Sequence, residues 1–153
     1  MNIEIEWDKV NYFEPDEFSE DPDKYADPAL IYSLDIFREM LQYKIYPSPV
    51  TGALARFDDG KSGSRHYAVS RKSDAIDIFC NTSILEAWTI AIRSGLWKGI
   101  GVYFDTFYRN RDWCMLHLDN RSTNLLWYRD NHEYSFEKDR LFWEKLSVLL
   151  GES

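Results

Sequence analysis

No run of about eighteen apolar residues, the length a membrane-crossing helix needs, occurs in the sequence. A membrane is therefore not an expected partner. The N-terminal stretch MNIEIEWDKV lacks a basic segment followed by an apolar one, so no secretory leader is expected and the chain reads as cytoplasmic when synthesised. Basic residues are scarce: 18 Lys and Arg stand against 26 Asp and Glu, a net charge of −8. They form no stripe, since Arg65 with Arg71 and Lys72, and Arg109 with Arg111, are short groups interrupted by other residues. Phosphate recognition needs such a stripe, so nucleic acid is excluded as an expected partner. Cysteine is limited to Cys80 and Cys114, too few for a disulfide framework and set in apolar contexts that suit small buried residues. Repeats, low-complexity tracts and long linkers are also missing, and residues 1–153 read as a single domain.

Aromatic side chains, by contrast, are plentiful: 6 Trp, 10 Tyr and 9 Phe. Most serve to fill a small core, and the same rings line grooves for sugars and peptides. The acidic segment from Glu14 to Asp27, broken by Pro15 and Pro22, predicts turns and one short helix. A longer helix follows, with Asp27 as its cap, Pro28 in its first turn, and Leu30, Leu34, Phe37 and Leu41 on one face as far as Tyr43. From Pro47 to Arg71 the chain is rich in Gly, Ser, Asp and Pro, a long irregular connection of the kind that usually carries function.

Residues Ala75 to Phe79 predict a buried strand, and Ser83 with Glu86 a capping box that opens a helix with the stripe Leu85, Trp88 and Ile92, ended by Gly95. Gly99 to Phe104 and Cys114 to Asp119 predict two more strands around a polar turn at Arg109 to Asp112, with a short strand at Leu125 to Tyr128. A last helix is expected from after Ser135, through Leu141, Phe142, Leu146 and Leu149, to Gly151. The mixture and short connections predict an α+β domain with a small antiparallel sheet and flanking helices.

Chemistry concentrates in three places. Strand alternation puts Leu116 and Leu118 on one face and His117 with Asp119 on the other. Asp77 is a carboxylate within a strand of isoleucines, where a charge is costly unless paired or bound to a metal. His66 sits on the irregular loop. These types and this number fit a catalytic metal site, which takes three protein ligands from His and Asp or Glu and leaves a position open. On spacing alone the set competes with a plainer reading, in which His117 is a hydrogen-bonded core histidine and Asp77 pairs with an arginine such as Arg71.

The segments SRHYAVSRKSDAIDIF and MLHLDNR resemble the zinc D-Ala-D-Ala carboxypeptidase-like family, which takes in D,D-dipeptidases, phage endolysin peptidases and the hedgehog signalling domain. Ser64 and His66 match the opening of its first motif, and Ala75 and Asp77 its close, with Ser73 where the family has glycine. Leu116-His117-Leu118-Asp119 matches the second motif. Upstream, FEPDEFSEDP, LIYSLDIFREML and IYPSPVTG resemble the family's leading region, helix and pre-site strand, so the likeness runs in order from Phe13 to Arg121.

The resemblance implies a hedgehog/D,D-peptidase-like fold and one zinc on His66, Asp77 and His117. It implies Asp119 as the catalytic acid–base group or as the partner that orients a ligand imidazole, with Arg56 and Arg121 as substrate-binding cations. The implied substrate is a peptidoglycan peptide, cleaved by a D,D-carboxypeptidase or endopeptidase through a zinc-activated water. A phage or prophage origin is implied too, with association to a virion or release to the cell wall at lysis. Three departures stand out. The interval from His66 to Asp77 is longer than usual, Arg56 is displaced from an S-G-Y-type motif, and Cys114 occupies the place of a catalytic acid. The alternative expectation is a peptidase-fold binding or structural protein without catalysis.

Overall fold

The computed structural model describes residues 3–58, 60, 63–109 and 112–152. Asp21 caps a one-turn helix α1 (Pro22–Tyr25) by accepting the amide of Asp23. Asp27 does the same for Ala29 at the head of α2 (Pro28–Leu41), which stops where Gln42 turns left-handed at φ 61°. Its buried face holds Leu30, Ile31, Leu34, Phe37 and Leu41, as the 3.6-residue period predicts. Asp35, also buried there, accepts the amides of Asn11 and Tyr12 and so fixes the N-terminal segment to the helix.

Six strands follow: β1 (Ile45–Pro47), β2 (Ala75–Cys80), β3 (Gly99–Tyr108), β4 (Trp113–Asp119), β5 (Leu125–Asp130) and β6 (Glu133–Phe136). They form one sheet in the order β1-β2-β4-β3-β5-β6. The expected antiparallel sheet is corrected to a mixed one, because β3 and β5 run parallel. The short loop 120–124 steps across the starting end of β3, so β5 turns back on β4 but shares the direction of β3. No long crossover is needed, since the parallel partners are not consecutive.

Helix α3 (Ile84–Ser94) begins at Ser83, whose hydroxyl accepts the Glu86 amide, and ends at Gly95 with φ 67°. Its buried stripe is Ile84, Ala87 and Ala91. The expected stripe is therefore off by one position: Leu85 and Ile92 face outward, and only Trp88 packs against the core. Small alanines let the helix lie close to the sheet, which large residues on that face would prevent. The expected last helix is also revised. Phe136 closes the hairpin strand β6, residues 137–141 form a turn in which Asp139 accepts the Phe136 amide, and α4 (Phe142–Glu152) starts only after it. The turn at Arg109 to Asp112 has its centre outside the described residues.

Alternation divides the sheet into two faces. Ile76, Ile78, Leu116, Leu118, Ile100 and Val102 join the helices in the main core. On the other face, residues line up in transverse rows. Asp77 of β2, His117 of β4, Gly101 of β3, Trp127 of β5 and Phe136 of β6 are successive partners in one row. The row beside it reads Phe79, Met115, Tyr103, Arg129 and Tyr134. A smaller aromatic cluster of Phe79, Tyr103, Trp113, Met115 and Trp127 packs there. Among the described residues no helix is long and apolar enough to cross a membrane.

Candidate metal centre

The register of β2 on β4 places Asp77 opposite His117, with both side chains on the helix-free face. The third member arrives on the loop. Ser64 accepts the backbone amide of His66 through its hydroxyl at 3.3 Å, a local turn that gives the Ser-x-His spacing a physical reason. The Arg56 amide donates to the His66 carbonyl at 2.7 Å, and the Ala68 amide to the Arg56 carbonyl at 2.9 Å. Arg71 donates to the carbonyls of Ser64 and Arg65, while Arg65 and Arg71 both bind Asp74. Arg71 is thus engaged with Asp74, and not with Asp77. The ligand-bearing end of the loop is well anchored. Residues 59, 61 and 62 of the expected loop lie outside the described ones.

His66 Nε2 lies 3.0 Å from His117 Nδ1, which lies 3.0 Å from Asp77 Oδ1, and His66 Nε2 is 3.4 Å from the same oxygen. All three residues are buried. His117 Nε2, on the far side of the ring, meets Asp119 Oδ2 at 2.9 Å. Asp119 in turn accepts from the Arg121 amide and guanidinium. Burial would raise the pKa of Asp119, but bonds from Arg121 and His117 outweigh it and hold the carboxyl well below its usual range. An ionised Asp119 can only accept, so His117 carries its hydrogen on Nε2. Neutral His117 then presents a lone pair on Nδ1 to another nitrogen and to a carboxylate.

A hydrogen on His66 Nε2 satisfies this contact; where His66 also presents a lone pair, a cation between the three groups does so. Burial likewise opposes ionisation of Asp77, yet its interactions with the imidazoles of His66 and His117, which protonated rings strengthen, outweigh it and depress its pKa. For His117 burial lowers the pKa, and the bonds to Asp119 and Asp77 reverse the balance and raise it. A proton can bridge the cluster; a metal ion can do so as well. Ligands of a tetrahedral ion with bonds of about 2.0–2.1 Å stand roughly 3.3–3.4 Å apart. The observed triangle of 3.0, 3.0 and 3.4 Å fits that separation with little adjustment. The group could hold a metal ion.

Space for this arrangement is cut out of β3. A Cβ at Gly99 would overlap the Asp119 carboxylate, and one at Gly101 would overlap the Trp127 indole. The Trp127 ring lies 5.3 Å from the His117 ring. These glycines and Trp127 escape a search for chemically reactive residues; the Gly-Ile-Gly spacing, leaving one strand face without side chains, is the signal for them.

Arg56, Arg121, Cys114 and Asp105 take distinct positions. Arg56 stands beside the cluster, its NH2 3.6 Å from Asp77 Oδ2 and its Nε donating to the Gly52 carbonyl at 2.9 Å. Arg121 lines the site but is bound to Asp119. Cys114 faces the helix side opposite Cys80, buried and unbridged, so neither sulfur can reach the cluster. Asp105 is bound to Arg129 and to the His132 amide.

Two cavities adjoin the cluster, one of about 220 Å³ on the side of His66 and His117 and one of about 230 Å³ on the side of Asp77. A further cavity of about 460 Å³ lies between β5–β6 and α4 and is lined by no histidine or cysteine, so the chemistry belongs to the pair beside the cluster. No family model, curated protein or solved structure matches the chain.

Proposed function

We propose that the chain is a zinc-dependent hydrolase of the D,D-carboxypeptidase or endopeptidase type, acting on peptidoglycan peptides and built on a hedgehog/D,D-peptidase-like fold. One observation carries the metal reading: His66 Nε2 and His117 Nδ1 converge on Asp77 Oδ1 within 3.4 Å, with Asp119 meeting His117 Nε2 from behind. The peptidase reading rests on the order of the Ser64–His66, Ala75–Asp77 and His117–Asp119 segments. Zinc held there would supply Lewis acidity toward a carbonyl and lower the pKa of a water to about 7.

The chain's own contribution is positional. His66, Asp77 and His117 would be the ligands, with Asp119 orienting His117 and Gly99 leaving room for it. Asp119 contacts the nitrogen of His117 that faces away from the donor triangle, which favours orientation over proton transfer. Arg56 borders both cavities and is placed to meet a substrate carbonyl or carboxylate. Arg121 acts through Asp119.

One observation favours the catalytically silent alternative, a peptidase-fold binding or structural protein of a phage or prophage. Among the described residues, Asp77 is the sole carboxylate lining either cavity, so no free base stands beside the donors.

Metal analysis of the purified chain beside His66→Ala tests the first step. One zinc per wild-type chain and none in the variant is the expected result; equal content in both would remove the site. Zinc-loaded protein incubated with muropeptides then divides the enzyme from the silent form by product mass.

A further inference from the structure

Resting on the metal-dependent reading, we infer that the site binds the interior of a peptide, with residues of the ligand on both sides of the donor cluster, and not a peptide's free C-terminus. The two cavities share a wall made of Arg56, Tyr103 and Tyr134. One flank adds His66, His117, Trp127 and Phe136. The other adds Asp77, Ser48, Thr51 and Met115. The donor set therefore sits at the partition, histidines on one side and the carboxylate on the other. Each cavity alone is smaller than the roughly 300 Å³ of the least ligand pockets, and the two together pass that size. A carbonyl placed at the cluster has room for chain in both directions.

The charges point the same way. Gripping a terminal carboxylate calls for an available cation at a closed end of the groove, where it can make charge-assisted bonds. Here Arg129 is bound to Asp105 and Thr106, and Arg121 to Asp119. Arg56 lies in the shared wall beside Asp77, at the middle of the cleft and not at an end. Among the described residues no lysine lines either cavity. The hydroxyl of Tyr103 in the shared wall is a hydrogen-bond donor suited to neutral amide oxygens. The first flank is aromatic and the second carries hydroxyls, so the two sides would read different residues.

Three D-alanine-containing peptides with the same core test this: one ending in a free carboxylate just past the target bond, its carboxamide, and one extended on both sides. Uncleavable N-methyl versions are titrated into the zinc-loaded protein by tryptophan fluorescence, and the natural versions are followed for turnover. Expected is about tenfold tighter binding of the extended peptide than of the short acid, with the carboxamide equal to the acid. Thr51→Trp on one flank and Phe136→Ala on the other, both exposed positions, should each weaken the extended peptide several-fold, the size of one lost side-chain contact or more. Tightest binding by the short acid, lost on amidation, overturns the inference while leaving the zinc peptidase reading intact. Failure of all three to bind overturns it too, and zinc content of the same sample then reports separately on the metal site. Preferential binding of the extended peptide without turnover upholds the inference and removes catalysis from the proposed function.

Discussion

The two faces of the sheet are made by the same strands and answer to different rules. On β2 and β4 the helix-side residues Ile76, Ile78, Leu116 and Leu118 are buried among α2 and α3, and their worth is contact area. One residue along in each strand stand Asp77, His117 and Asp119, equally shielded from water but carrying charge and hydrogen bonds. Burial by itself therefore says nothing about role; what separates the faces is whether the partner is a hydrocarbon or a lone pair. The helix side is fixed by volume, and the open side by the direction of hydrogen bonds.

That contrast breaks most visibly at Leu116. Leu116→Ala should cost about 2–5 kcal/mol of stability through cavity formation, while the folded fraction still takes up one zinc. Urea unfolding with metal analysis below the transition checks both halves. A loss of zinc in the folded fraction would show that the faces are not independent.

On the open side, Asp119→Asn and Gly99→Ala should act alike. Both disturb the group behind His117, and each should weaken zinc affinity by about 10–100-fold with a smaller change in stability. Chelator competition measures the first and thermal unfolding the second. If Asp119 were a proton-transfer group, Asp119→Asn would instead keep zinc and lose turnover by about 10²–10⁴-fold.

A third test concerns Glu20, which holds the loop before Arg56. Its carboxylate accepts the amides of Gly52, Leu54 and Ala55 and the Ser19 hydroxyl. Burial would raise its pKa, but these bonds lower it below the ordinary value. A depressed folded-state pKa gives stability that is complete above the unfolded value of about 4.3 and fades as pH falls through the folded one. Limited proteolysis of the 50–56 loop should therefore accelerate on acidification, and Glu20→Gln should show fast cleavage with a flattened pH response. The smallest effect is expected on the outer face of α3, where Leu85→Lys should change stability by no more than about 0.5 kcal/mol.

Much of this was legible in the residues. Asp27 and Ser83 announced two helix starts, and the alternation in MLHLD placed His117 and Asp119 on one face away from the leucines. Less legible was the stripe of α3, where the larger Leu85 and Ile92 outweighed the alanines that do the packing. The β6 strand was hidden because Glu133–Phe136 borders solvent on an edge and alternates weakly, and its neighbours read as the start of α4. Parallel pairing of β3 with β5 depends on which edge a short loop crosses, a choice no local pattern records. The partnership of Asp119 with Arg121 was within reach, two positions apart, but its direction toward His117 Nε2 emerged only from the register.

The row that joins Asp77 to His117 also bears on how the chain folds. The donors are contributed by residues 66, 77 and 117, so the triangle closes only once β2 has found β4 across the intervening helix and β3. Long-range closure of this kind is slow compared with forming α2 or α3 from local contacts. A metal ion would then be captured late, and by binding only the closed state it would retard reopening of the sheet more than it hastens its formation. If zinc is the ion held there, stopped-flow refolding should be nearly unchanged by it and unfolding slowed, which would make the ion a clasp on a finished sheet and not a template for it.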